Sequence, residues 1–123
     1  MNERRHEPFR YPFQTPLPGF YNKKFSSHLS GPMEVKDISM NGLRFSCDSQ
    51  PGLSMKDELF LTFIYENKTF TAEGRLIWMK TEEQHMTCGV HVFEYPDQLK
   101  EIIAKLGDSL KDVQNDSMET KSP

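Results

Sequence analysis

From Thr69 to Lys80 polar and apolar residues alternate, and Phe70, Ala72, Gly74, Leu76 and Trp78 fall on one face. A side-chain period of two belongs to a half-buried strand, because a helix of period 3.6 scatters such residues around its surface. Leu43-Arg44-Phe45-Ser46-Cys47 alternates in the same way, with Leu43, Phe45 and Cys47 on one side. Met86, Cys88, Val90 and Val92 share a face of a last strand, and Glu58–Tyr65 is dense enough in Leu, Phe and Ile to have both faces partly covered. Gly19–Phe25 and Met33–Ile38 complete the set of strands. The period changes once. After Tyr95-Pro96, residues Leu99, Ile102, Ile103, Leu106, Leu110 and Val113 follow helical spacing. Pro96 suits a first helical turn, and Gly107 either ends the helix or weakens its continuation. The pattern predicts a mainly β fold: a six-stranded antiparallel β-barrel with a C-terminal α-helix packed on an opening or a side.

A chain of 123 residues has material for one domain. We divide it into an arginine-bearing arm (1–12), a barrel with its helix from about residue 96 (13–106), and a helix end with a disordered tail (107–123). Pro8 and Pro12 resist helix in the arm, where Phe9 and Tyr11, with Phe13 just beyond, supply anchors. Cys47 and Cys88 fall at inward strand positions without metal-type spacing, as buried free thiols of a reducing cytosol do. The N-terminus is charged with no apolar stretch behind it, and no run approaches the ~20 apolar residues of a membrane helix. The expectation is a cytoplasmic protein with no membrane insertion.

Enzyme signatures are missing. There is no Gly-rich phosphate loop and no Gly-x-Ser-x-Gly elbow. His6, His28, His85 and His91 are scattered, so neither a metal nor a catalytic histidine is expected, and His91 faces solvent opposite Val90 and Val92. A net charge of −3, with no basic residues interleaved with aromatics on the strands, argues against a barrel that binds single-stranded nucleic acid. What remains is a binding surface.

Two features supply one. Asp37-Ile38-Ser39-Met40-Asn41-Gly42 is a polar corner between two strands, where Asn-Gly tolerates the positive φ of a sharp turn. Arg4, Arg5 and Arg10 crowd the first ten residues. Arginine makes bidentate contacts with phosphate and pairs with the O6/N7 edge of guanine, while a carboxylate complements the donors on guanine's other edge. An arm and a corner of this kind can close on a guanine nucleotide from two sides.

In this order the motifs resemble the PilZ domain, the bacterial receptor module for cyclic di-GMP. Asp37-Ile38-Ser39-Met40-Asn41-Gly42 fits the family's Asp/Asn-x-Ser-x-x-Gly pattern, and Arg5 and Arg10 stand where it carries Arg-x-x-x-Arg, here with four intervening residues instead of three. Gly74-Arg75-Leu76-Ile77-Trp78 and Cys88-Gly89-Val90-His91-Val92-Phe93 resemble its later strands, and the likeness covers about residues 3–106. The resemblance implies a six-stranded barrel with a C-terminal helix and no catalysis or cofactor. It implies cyclic di-GMP held by Arg4 or Arg5, Arg10, Asp37, Ser39, Gly42 and Gly89, with an arm that closes on the ligand and alters the surface offered to a downstream protein partner. The lengthened arginine spacing sets the alternative: a PilZ-like protein-interaction module that binds no nucleotide.

Overall fold

A computed structural model describes residues 10–26 and 29–121, with side chains as far as residue 109. Six strands are followed by one helix: β1 Tyr11–Lys23, β2 Ser30–Ser39, β3 Gly42–Asp48, β4 Glu58–Tyr65, β5 Lys68–Glu82, β6 His85–Glu94 and α1 Asp97–Lys121. All strand pairs are antiparallel, and they close in the order β1-β2-β3-β6-β5-β4. The six-stranded barrel with its C-terminal helix is the fold that the alternating runs predict.

The inward rows make the core. Val35, Phe45, Leu59, Leu61, Ala72, Leu76 and Cys88 are completely shielded from solvent, and Tyr21 stacks on Phe45 with ring centroids 5.8 Å apart. Each large apolar side chain so buried contributes roughly 1.5–3 kcal/mol. Leu99 and Ile103 of α1 are also buried, and with Ile102 and Leu106 they lie along Phe13, Leu17, Ile38, Phe63 and Tyr65, so the helix closes one side of the barrel. Pro96 stands just before α1, and its carbonyl accepts the Lys100 amide at 3.0 Å. No helix among the described residues is long and apolar enough to cross a membrane.

Four expectations change. First, β1 starts at Tyr11, well before Gly19, so residues 11 and 12 belong to the barrel rather than to a free arm. The register jumps from Pro12↔Asp37 to Leu17↔Val35, a bulge that takes up Pro16. Pairing with β4 begins only at Gly19, so Pro12, Pro16 and Pro18 lie where β1 has one unpartnered edge and a missing N–H is tolerated. Second, α1 passes through Gly107 and continues as helical backbone to Lys121, across the segment expected to be a helix end and disordered tail. Third, Trp78 leaves the inward face of β5. A register shift between Leu76 and Trp78 inserts Ile77, and both Ile77 and Trp78 are exposed. Fourth, neither Asn41 nor Gly42 has positive φ. The left-handed hairpin turn lies elsewhere, at Glu66 (φ 50°) and Asn67 (φ 68°) between β4 and β5.

Candidate functional site

The β2–β3 hairpin sets the site. Ser39 pairs with Gly42 across the two-residue loop Met40-Asn41, so two residues further from the loop Asp37 pairs with Arg44. Directly paired residues point to the same face of a sheet. Both pairs continue into β6 and β5. Gly42 pairs with His91, which pairs with Arg75; Arg44 pairs with Gly89, which pairs with Trp78. Two adjacent rows therefore cross four strands on the outside of the barrel: Ser39–Gly42–His91–Arg75 and Asp37–Arg44–Gly89–Trp78.

Asp37 is the fixed point of the second row. Only 2% of its surface is exposed, and each carboxylate oxygen accepts from a guanidinium. Arg10 Nη1 donates to Oδ1 at 2.7 Å, and Arg44 Nε donates to Oδ2 at 2.6 Å. The arginine side chains remain 50% and 41% exposed, so their other N–H groups face outward. Two cations share one anion, which leaves surplus positive charge at this place on a chain that is net negative. Bond lengths this short are typical of charge-assisted pairs.

The corner beside them is held by its backbone. The Gly42 carbonyl accepts from Ser39 Oγ at 3.3 Å and from the buried Tyr95 hydroxyl at 2.9 Å, and the Asn41 carbonyl accepts from the Val92 amide at 2.9 Å. Burial pushes the Tyr95 phenol well above its ordinary value; Arg10 opposes this and Asp37 adds to it. Gly42 is glycine because of close approach: a Cβ here would overlap the Val90 carbonyl oxygen of β6. Arg10, Ser39, Asn41, Gly42, Ile77 and His91, with Val90, line a hollow of about 210 Å³. A larger hollow of about 430 Å³ lies elsewhere on the barrel, but Glu34 and Asp48 line it, and two carboxylates disfavour an anion.

Of the residues expected at a site, Arg10, Asp37, Ser39 and Gly42 come together. Gly89 is in the same ladder but buried, because the Trp78 indole occupies the space a Cβ would need. It supports the surface and presents no bare backbone to a ligand. Arg4 and Arg5 lie outside the described residues. Arg44, Trp78 and Tyr95 were not among the expected site residues, and His91, expected only as a solvent-facing residue, lines the hollow. Counting outward from the hairpin loop finds Arg44, which must face Asp37 once Ser39 and Gly42 are paired. No cluster of His, Cys, Asp and Glu suited to a metal occurs among the described residues.

The model of the PilZ domain family matches residues 3–106. Among solved structures, the chain is similar to the PilZ domain of YcgR from Escherichia coli with c-di-GMP, at 13% identity and a TM-score of 0.65, covering 94% of this chain and 98% of that one. It is similar to the PilZ domain of CeSA from a cellulose-synthesizing bacterium, at 14% identity and a TM-score of 0.59, covering 84% and 98%. It also matches YcgR from Escherichia coli in complex with c-di-GMP, at 14% identity and a TM-score of 0.56, covering 94% of this chain and 50% of that one. No curated protein matches it. At these identities the structural likeness carries the fold alone.

Proposed function

Since the chain belongs to the PilZ domain family, we propose that it is a cyclic di-GMP receptor: a cytoplasmic regulatory adaptor that binds the dinucleotide and catalyses nothing. The observation that carries this reading is the pair of half-exposed guanidiniums, Arg10 and Arg44, fixed on one buried carboxylate beside Ser39 and Gly42. Similarity to PilZ structures that hold c-di-GMP supports it.

The mechanism follows from the charges. Arg10 contacts a phosphate and the O6/N7 edge of a guanine through N–H groups that Asp37 leaves free. Asp37, buried with each oxygen paired to a guanidinium, keeps Arg10 and Arg44 in place for the ligand, and Ser39 holds the corner beside them through the Gly42 carbonyl. Arg10 is docked, and an extended chain covers about 3.3–3.6 Å per residue, so Arg5 lies within roughly 17 Å of it. The arm carrying Arg4 and Arg5 closes over the ligand from that anchor. The surface thereby changed is the one a downstream protein partner reads.

Titration calorimetry tests this with cyclic di-GMP and cyclic di-AMP on the wild type and Arg10→Ala. The guanine ligand binds the wild type, and Arg10→Ala loses at least ~2 kcal/mol, because a charge-assisted contact is removed and Asp37 loses a partner. The adenine ligand, which lacks the O6 acceptor, binds poorly. No heat with cyclic di-GMP returns the chain to the alternative, an interaction module that binds no nucleotide.

A further inference from the structure

We propose that Cys47 and Cys88 form an oxidation site: a hydroperoxide entering the hollow beside Cys47 converts the two thiols into a disulfide between β3 and β6. The proposal stands apart from the receptor reading above, which uses neither sulfur. Both cysteines are free thiols. Phe45 pairs with Cys88 and Cys47 pairs with Met86, so the two are diagonal neighbours on adjacent strands. Both side chains point into the core. Diagonal neighbours stand about 7–8 Å apart at Cα and less at Cβ, and a disulfide needs about 7 Å or less at Cα, so a slight approach of the strands closes the bond.

The two thiols are not equivalent. Cys88 is completely shielded, whereas Cys47 is 7% exposed and lines the hollow of about 430 Å³ with Pro18, Met33, Ser46 and His85. The Cys88 thiol beside it holds Cys47 below the usual thiol range, helped by the Tyr21 hydroxyl and opposed by burial and Asp48. Cys47 and burial push the Cys88 thiol up. The more accessible sulfur is thus also the one that ionises first, and the thiolate is the nucleophile. With hydrogen peroxide, the Cys47 thiolate attacks one oxygen and the O–O bond breaks. The departing hydroxide takes up the proton that Cys47 has lost, leaving a sulfenic acid and water. The Cys88 thiol then attacks the sulfenic sulfur, a second water leaves, and the S–S bond forms. Two thiols are oxidised and one peroxide is reduced to two waters. In a reducing compartment such a bridge is transient and a thiol reductant reopens it. Cysteines kept only for packing need no contact with each other and no opening to solvent.

Hydrogen peroxide is added to the reduced full chain, which is then unfolded, alkylated and mapped by mass spectrometry. The exposed Met40 and Met55 are the internal control, since their sulfoxides show that oxidant was present. The wild type loses both alkylatable thiols together, gains a Cys47–Cys88 disulfide within one chain, and recovers both thiols with dithiothreitol. Cys88→Ala has no resolving thiol, so dimedone, a reagent for sulfenic acids, tags Cys47 in it. That tagging is at least about tenfold greater than the tagging of Cys88 in Cys47→Ala. Thermal melts show whether each variant is folded, and the wild-type experiment decides if one is not. Three results overturn the proposal: both cysteines still alkylated once Met40 and Met55 are oxidised, a bridge between two chains instead of within one, or equal tagging of the two folded variants.

Discussion

Arg44 donates through Nε to Asp37 Oδ2 at 2.6 Å, from the position directly opposite on the neighbouring strand. With Arg10 on the other oxygen, each oxygen of the buried carboxylate has a guanidinium partner. Asp37 is thus held by two half-solvated partners, and its removal frees both to hydrate. Asp37→Ala lowers stability by about 1–2 kcal/mol, the lower part of the range for charged hydrogen bonds because the arginines are half-exposed. That corresponds to a fall in Tm of roughly 3–12 °C for a domain of this size. Asp37→Asn is no better, since its amide N–H₂ must face one of two arginine donors. Thermal and denaturant melts check this; an Asn variant as stable as the wild type contradicts the two-sided pairing.

Gly42 and Gly107 give substitutions of opposite sign. A Cβ at Gly42 meets the Val90 carbonyl oxygen, a backbone atom in the middle of the sheet, whereas nothing lies within 4 Å of one at Gly107. Gly42→Ala costs about 2–3 kcal/mol, because β3 and β6 must part. Gly107→Ala, inside a helix, gains about 0.5–1 kcal/mol. Denaturant midpoints of the two variants decide, and a neutral Gly42→Ala counts against the close approach of β3 and β6.

Much of this was legible in the residues, and the exceptions have physical causes. Alternation and one change of period sufficed for six strands and a helix, with β4 at Glu58–Tyr65 in both sequence and structure. Alternation fails at Trp78, because a single inserted residue reverses every side chain beyond it, and no local propensity marks Ile77 as that residue. Pro12, Pro16 and Pro18 each lack the N–H a paired strand needs, but an unpaired edge and a bulge accommodate them, and those depend on which strands become neighbours. Asn41-Gly42 reads as a left-handed turn; the glycine is instead demanded by a strand nearly fifty residues away. Asp37, Ser39 and Arg10 were visible as types and spacing. Arg44 required the hairpin register, and Trp78 and His91 required the order of strands in the barrel.

Tyr95 ties the start of the helix to the corner and contributes to the loss of stability at alkaline pH. Burial raises its phenol above the unfolded value of about 10, so the folded chain stays protonated where the unfolded chain ionises. The contribution of this group is therefore constant below pH ~10 and falls above it, by up to ~1.4 kcal/mol per pH unit. Tyr21 and Tyr65 are raised by burial too and add to the same slope. Tyr95→Phe loses about 1 kcal/mol at neutral pH with the hydrogen bond to the Gly42 carbonyl, and shows a shallower decline between pH 10 and 11. Denaturant titrations of both proteins at pH 7, 10 and 11 provide the comparison.

The central claim is one of place: cyclic di-GMP settles on the two rows that run from Ser39 and Asp37 to Arg75 and Trp78. Amide and indole NMR shifts of ¹⁵N-labelled protein during a cyclic di-GMP titration test it most directly. The account predicts the largest changes at Asp37, Ser39, Gly42, Arg44, Gly89, His91 and the Trp78 indole. Changes centred on Glu34, Asp48 and His85 at the hollow of about 430 Å³, or no changes at saturating ligand, contradict it.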